Sequence, residues 1–232
     1  MDATRNTARW AGLLYFLTIP TGMFGLVYVP SKLFVHGDAA ATAENIRASS
    51  WLLRYGMAGE LLGQIFLIYA VLVLYRLFRP VDEALARQMV VLGALVSAPI
   101  LFVNLLNECA ALLLVQSDVL ATLGRQQADT LAYLFMQLHG RGYIVAEVFW
   151  GLWLFPFGLL VTRSGFIPRI LGWALIAAGI GYVAGSAAWF LAPDYQDAVD
   201  AVVRRLELGE LPIVFWLMIW GAWVPAARRV TS

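Results

Sequence analysis

The stretch "LFVNLLNECAALLLV", residues 101–115, has the apolar character of a membrane-spanning helix, yet it contains Asn104, Asn107 and Glu108. A helix needs about 20 mostly apolar residues to cross a bilayer. An ionisable side chain at membrane depth costs about 3 kcal/mol on insertion scales and usually faces the protein interior. The stretch therefore predicts a membrane fold with a polar site inside it.

The composition of the 232-residue chain supports a membrane protein. It is 61% hydrophobic and 13% charged, whereas soluble domains are about 25% charged. The net charge of +1 argues against a nucleic-acid partner. The single cysteine, Cys109, excludes an intrachain disulfide and a cysteine-based zinc motif. The lipid bilayer is the partner that this composition predicts, and it leaves the oligomeric state open.

Six segments are long and apolar enough to cross a membrane. They lie at 9–30, 54–78, 87–116, 142–162, 168–191 and 211–227. We therefore predict an all-α membrane protein, a bundle of six transmembrane helices in a single domain over residues 1–232. The first segment follows no small-residue cleavage site, so it is interpreted as a retained span and not as a signal peptide.

Three connections, 31–52, 117–140 and 193–210, are long enough to form short amphipathic helices in the outer loops. Asp38 is the predicted N-cap in the first. These helices either lie on the lipid surface or together cap the outer end of the bundle. The predicted apolar faces are Leu131, Leu134, Phe135 and Leu138 in the second connection and Val199, Val202, Val203 and Leu206 in the third.

Glycines recur at the spacing that lets membrane helices approach closely. They are Gly56, Gly59 and Gly63 in the second span and Gly181 and Gly185 in the fifth. The sequence therefore predicts tight helix packing at these two places.

The short connections, "RPVDEALAR" (79–87) and "RSGFIPR" (163–169), are marked by arginines. Positive residues in short loops beside the membrane favour the cytoplasmic side. We therefore predict a multi-pass protein of the inner (plasma) membrane with both termini in the cytoplasm. The three long connections then face outward.

Three predicted spans each contain one glutamate: Glu60, Glu108 and Glu147. At about 1.5 Å per residue, each lies roughly 9–12 Å from the same, outer end of its span. Three acids at one depth predict a shared polar pocket that faces outward.

Other polar residues extend this pocket. They recur at a spacing of four on each of these spans, so each span has one polar face. On the fourth span this requires the helix to begin before His139. The candidate ligand-binding residues are Glu60, Gln64, Asn104, Asn107, Glu108, His139, Tyr143 and Glu147.

Carboxylates and an imidazole are suitable ligands for a divalent metal ion. The candidate metal ligands are His139, Glu60, Glu147 and Glu108. A metal there could activate water for the hydrolysis of a lipid, so the chain could be an enzyme, although no catalytic residue is identified.

Several functions remain open at this point. The leading one is a ligand-binding membrane protein whose pocket takes a small molecule, a lipid head group or a cation. The alternatives are the metal-dependent lipid hydrolase, an interaction protein whose polar residues only join helices, and a transporter. Since the polar residues stop in the outer half, a path to both sides is not apparent from the sequence.

Two regions resemble a known family. The segments 15–56 and 138–172, above all "GDAAATAENI" (37–46), "FWGLWLFPFG" (149–158) and "RSGFIPRILG" (163–172), resemble the prokaryotic domain of unknown function family 4386. The resemblance implies a bacterial or archaeal polytopic membrane protein of no established activity. It implies an acid at Glu60 and a histidine at His139. The family pattern does not include an acid at position 108, and it often has a glutamine at position 147.

Overall fold

A computed structural model of the protein describes residues 2–116 and 123–223, and these residues form helices and no strand. This confirms the all-α prediction. The α-helices are α1 (Asp2–Gly22), α2 (Val29–Leu33), α3 (Ala39–Ala48), α4 (Ser50–Phe78), α5 (Glu83–Val90), α6 (Ser97–Gln116), α7 (Arg125–Ser164), α8 (Arg169–Leu191), α9 (Gln196–Glu207) and α10 (Leu211–Ile219). Two π-helical segments, Met23–Tyr28 and Val91–Val96, join α1 to α2 and α5 to α6.

Five helical stretches of the described chain are long and apolar enough to span a membrane. They are Thr4–Leu33, Ser50–Phe78, Glu83–Gln116, Arg125–Ser164 and Arg169–Leu191. They correspond to the first five spans predicted from the sequence. The chain is therefore a multi-pass integral membrane protein.

The sixth predicted span is shorter in the structure. Helix α10 ends at Ile219, and Gly221 follows with a φ of +69°, a left-handed conformation that terminates helices. The guanidinium of Arg9 donates to the Ile219 carbonyl at 2.7 Å, which caps the end of the helix. Residues 224–227 of the predicted span lie outside the described residues.

The chain divides into two compact units that alternate along the sequence. One comprises Met1–Leu17, Phe66–Ala98 and Ile144–Ser232, and the other, which we call the polar unit, comprises Thr18–Ile65 and Pro99–Tyr143. The single domain expected from the sequence stays a prediction.

In the first unit, α7 and α8 pack through glycines. A Cβ on Gly151 would lie 2.6 Å from the carbonyl oxygen of Gly179, and a Cβ on Gly158 would lie 2.6 Å from that of Gly172. Because these distances are below van der Waals contact, only glycine allows the two backbones to approach so closely.

The third long connection contains α9, as the sequence predicts. Val203 is its buried residue. A Cβ on Gly181 would lie 3.0 Å from Leu206 Cβ, and one on Gly185 would lie 3.2 Å from Val203 Cγ1. The close packing predicted at these two glycines is confirmed. The helix that packs against them is α9.

In the polar unit, glycines of α4 allow residues of the first span to pack closely against this helix. A Cβ on Gly56 would lie 3.0 Å from Val29, and one on Gly63 would lie 2.8 Å from Thr21 Oγ1. This confirms the second close packing predicted from the sequence.

The first long connection forms α3, and its predicted cap is present. Asp38 Oδ1 accepts a hydrogen bond from the Ala41 N–H at 2.8 Å. The buried face of α3 contains Thr42, Ala43 and Ile46. The Arg47 guanidinium forms an ion pair with Asp129 at the start of α7. Helix α3 is thus held against the rest of the polar unit.

The second long connection differs from the prediction. Residues 125–164 form one continuous 40-residue helix, α7, and not an interfacial helix followed by a separate span. Its buried residues in this part include Ala132 and Met136, whereas Leu134 and Leu138 are exposed. Phe135 of the predicted apolar face packs partly buried against apolar residues of the polar unit, and leucines suit lipid as well as a protein core. The role of this face on the lipid surface stays a prediction.

The polar unit contains an apolar cluster. It contains Val29, Leu33, Ile46, Leu52, Leu53, Ala111, Leu112, Ala132 and Met136. Met136 lies one helical turn before His139, and Ala111 and Leu112 lie one turn after Glu108, toward the ends of their helices that the sequence predicts to be outside. Apolar residues of the cluster therefore adjoin the polar residues along both helices.

Candidate functional site

Glu60, Glu108 and His139 meet in the interior of the polar unit. They come from α4, α6 and α7, and their residue exposures are 4%, 0% and 3%. His139 Nε2 lies 3.3 Å from Glu60 Oε1 and 3.7 Å from Glu108 Oε1. One ligand atom from each of the three residues lies within 4.8 Å of the other two. The convergence expected from the sequence is thus found for these three, and we call them the triad.

The facing atoms of the triad have no hydrogen-bond partner among the described residues. They are Glu60 Oε1, both carboxylate oxygens of Glu108, and His139 Nε2. Buried polar atoms in folded proteins are almost always hydrogen-bonded, and each exception requires an explanation such as a bound ion. The described residues therefore leave the pairing of these four triad atoms unexplained.

The other oxygen of Glu60 is held by a tyrosine. The Tyr143 hydroxyl donates to Glu60 Oε2 at 2.5 Å. The rings of His139 and Tyr143 pack edge to face, with centroids 5.1 Å apart. Tyr143, a candidate from the sequence, therefore fixes the Glu60 carboxyl so that Oε1 remains directed at the triad.

Asn104 fixes the position of His139. Its side-chain N–H donates to the His139 carbonyl oxygen at 2.9 Å, and the Asn107 amide donates to Asn104 Oδ1 at 3.0 Å. His139 Nδ1 lies 3.4 Å from the Asn104 carbonyl oxygen. Since a carbonyl can only accept, this contact places the imidazole hydrogen on Nδ1. His139 Nε2 is then the ring nitrogen that faces the two carboxyl groups.

Two glycines that the sequence analysis missed leave space for the side chains of site residues. A Cβ on Gly142 would lie 2.0 Å from Asn104 Oδ1, and a Cβ on Gly25 would lie 2.5 Å from Glu60 Cγ. Gly25 is part of the π-helical segment Met23–Tyr28, and π-helical turns occur frequently at functional sites. The sequence offered one signal for Gly142, which is its position three residues after the candidate His139.

The remaining candidates lie at different places. Gln64 Oε1 is a buried atom without a hydrogen-bond partner, one turn after Glu60 on α4. Glu147 belongs to the first unit, where the carboxyl groups of Glu207 and Asp200 act on it electrostatically. The structure does not place Glu147 in the triad, although α7 begins early enough to form the predicted stripe.

The first unit contains a further acid, Glu210, that was not a candidate. The hydroxyl of Tyr15 donates to Glu210 Oε1, and the hydroxyl of Tyr182 donates to Glu210 Oε2 at 3.0 Å. Burial raises the pKa of Glu210 from 4.5 to about 8. Glu210 directly precedes the apolar segment 211–227, so its position was readable in the sequence, but its two tyrosine partners were not.

These features define the class: a helical, multi-pass integral membrane protein with a buried triad of two carboxyl groups and one imidazole. A family model described as "Domain of unknown function (DUF4386)" matches residues 10–221. The chain belongs to this family, and the match includes every residue of the triad. No curated protein and no solved structure matches the chain.

Proposed function

We propose that this integral membrane protein binds a cation at Glu60, Glu108 and His139. The observation that carries the proposal is the set of buried triad atoms without hydrogen-bond partners. With both carboxyl groups ionised, the triad carries a net negative charge even when the imidazole is protonated. Because an uncompensated charge is costly in a low-dielectric interior, a bound cation would stabilise the arrangement.

The size of the site favours a single ion among the ligands considered from the sequence. The ligand atoms of the triad lie within 4.8 Å of one another, and the three residues are almost completely buried. A lipid head group or a larger organic molecule would require the helices to separate. An ion can be coordinated by small side-chain movements.

The membrane orientation is a further part of the proposal. Both termini would lie in the cytoplasm of a cell whose inner (plasma) membrane contains the protein, because the arginine-marked connections favour that side. Single cysteines introduced at Arg79 and at Gln126 of the Cys109→Ala variant test this orientation. A membrane-impermeant thiol reagent added to whole cells should label position 126 and not position 79. Labelling of position 79 alone would contradict it.

Cation binding is tested by thermal unfolding of protein in detergent after chelator treatment and dialysis. Monovalent and divalent chloride salts are added one at a time, at matched ionic strength. A cation that binds only the folded state raises Tm with its concentration. We expect such a rise in the wild type, its loss in Glu108→Gln, and its retention in Glu44→Gln, a control at an exposed glutamate of the same unit.

If no salt raises Tm of the wild type more than that of Glu108→Gln, the proposal is wrong. The triad would then be a polar contact that only joins three helices, as in an interaction protein.

A further inference from the structure

The structure assigns a specific class of cation to the triad: we propose a divalent first-row transition-metal ion, of which zinc, manganese and iron are examples. His139 Nε2 and one oxygen each from Glu60 and Glu108 would be its ligands. This inference rests on the proposed cation site and names the kind of ion that it takes.

The imidazole is the first reason for this class. Magnesium and calcium ions take oxygen ligands, whereas imidazole suits zinc, iron and other transition metals. His139 is buried with Nε2 facing both carboxyl groups. Its Nδ1 lies against the Asn104 carbonyl oxygen. Metal-binding histidines typically donate their other ring N–H to a carbonyl or carboxylate in this way, which fixes the ring and its tautomer.

The distances are the second reason. Zinc binds nitrogen and oxygen ligands at about 2.0–2.2 Å in a tetrahedron, so two neighbouring ligand atoms lie about 3.4 Å apart. His139 Nε2 lies 3.3 Å from Glu60 Oε1 and 3.7 Å from Glu108 Oε1. These two separations are close to tetrahedral edges. The two carboxyl groups can complete the third edge, since the ligand atoms lie within 4.8 Å of one another.

The charge is the third reason. The two negative charges of two carboxylates beside a neutral imidazole balance the charge of a divalent ion, whereas a monovalent ion would leave one negative charge at membrane depth. Residual charge in a membrane interior is costly. A divalent ion therefore fits the triad better than sodium or potassium.

The surroundings support the ligands. Tyr143 holds Glu60 Oε2 at 2.5 Å, so Glu60 offers Oε1 to an ion while its other oxygen stays fixed. Three protein ligands leave one tetrahedral position for a water molecule or for Gln64 Oε1, which has no hydrogen-bond partner and lies one turn after Glu60. Sites with three protein ligands and an open position are typical of metals that act on a substrate.

The test compares the two histidines of the chain, His36 and His139. Wild type, His36→Gln, His139→Gln and Glu108→Gln are purified in mild detergent without chelator. Each is analysed for zinc, manganese, iron, magnesium and calcium by elemental mass spectrometry. We expect close to one transition-metal ion per chain in the wild type and in His36→Gln, and at least a tenfold lower content in the other two variants.

Cobalt substitution provides a second measurement on the same proteins. Bound Co²⁺ in a four-coordinate site with a nitrogen ligand should give visible absorption bands in the wild type, and these should be absent from His139→Gln. Helical circular dichroism and the elution volume in gel filtration are measured for each variant, so that loss of metal is scored only for folded protein. Where His139→Gln fails this check, Glu108→Gln decides.

The outcomes separate this inference from the proposed function. If sodium, magnesium or calcium stabilises the protein through Glu108 while zinc, manganese, iron and cobalt do not bind, the cation site stands and its assignment to a transition metal is overturned. Equal metal content in the wild type and in folded His139→Gln and Glu108→Gln also overturns the assignment, because the metal is then bound elsewhere. If no cation binds, both proposals are wrong.

Discussion

Gly142 of α7 lies directly against the Asn104 side chain of α6: a Cβ at position 142 would come within 2.0 Å of Asn104 Oδ1. The same Asn104 side chain donates to the carbonyl oxygen of His139 at 2.9 Å. The absence of a side chain at 142 thus allows the hydrogen bond that fixes the backbone at His139. This relationship makes Gly142 a positioning residue for the triad.

Gly142→Ala should therefore destabilise the protein by about 1–3 kcal/mol, the range for forcing extra atoms into a packed site. It should also weaken cation binding, since Asn104 can no longer hold His139. Chemical denaturation in detergent gives the stability, and the salt-dependent rise in Tm gives the binding. The matched control is Gly140→Ala, where an added Cβ meets nothing within 4 Å and should stabilise the helix by about 0.5–1 kcal/mol. Equal effects of the two substitutions would contradict this role.

Gly25→Ala should displace Glu60 in a similar way. The added Cβ would lie 2.5 Å from Glu60 Cγ and 3.1 Å from the carbonyl oxygen of Gly56. We expect a loss of stability of about 1–3 kcal/mol and a loss of the cation-dependent rise in Tm. Gly22→Ala, where the nearest atom to the new Cβ is 4.0 Å away, serves as the control in the same thermal experiment. Unchanged cation dependence in Gly25→Ala would show that Glu60 does not need this glycine.

Asp129→Asn should loosen α3. Arg47 pairs with Asp129, and the two side chains are 23% and 8% exposed. Removing the charge leaves a largely buried guanidinium without its buried carboxylate partner, which costs about 2 kcal/mol. Hydrogen–deuterium exchange of residues 39–48 should become faster. Glu44→Gln changes an exposed glutamate that also contacts Arg47 and should have little effect, because exposed pairs contribute about 0–1 kcal/mol. Equal exchange in both variants would show that the Arg47–Asp129 pair does not hold α3.

Glu210 should make the stability depend on pH. Burial raises its pKa from 4.5 to about 8, so the folded state binds the proton more tightly than the unfolded state. Stability is therefore highest below about pH 4.5 with respect to this group and falls as the pH rises toward 8, by at most about 1.4 kcal/mol per pH unit. Glu210→Gln should reduce this slope, because glutamine does not ionise.

The measurement for Glu210 is the denaturant midpoint at several pH values between 5 and 8, compared between wild type and Glu210→Gln. Asp197→Asn, a change at an exposed acid of α9, is the control and should leave the slope unchanged. If wild type and Glu210→Gln lose stability in parallel, Glu210 does not titrate as described.

Much of the candidate site was predictable because polar residues are rare in an apolar segment. Glu60, Glu108 and His139 were identified from their depth and spacing alone, and the structure brings them together. Glu147 was identified by the same reasoning, yet it belongs to the other unit. Depth along a helix follows from residue number, whereas the direction in which a residue faces depends on how the whole helix is rotated against its neighbours.

The sequence by itself determined that this protein lies in a lipid bilayer and that it is helical. Six apolar segments predict six spans, because a membrane interior offers no water to pair backbone N–H and C=O groups outside a helix. Five of the six correspond to long apolar helices of the described chain. The tertiary structure alone decided which faces are buried. Leucines serve equally in lipid and in a protein core, so the apolar pattern of α7 did not show that Ala132, Met136 and His139 face inward. Gly25 and Gly142 likewise acquire their role only from the side chains packed against them.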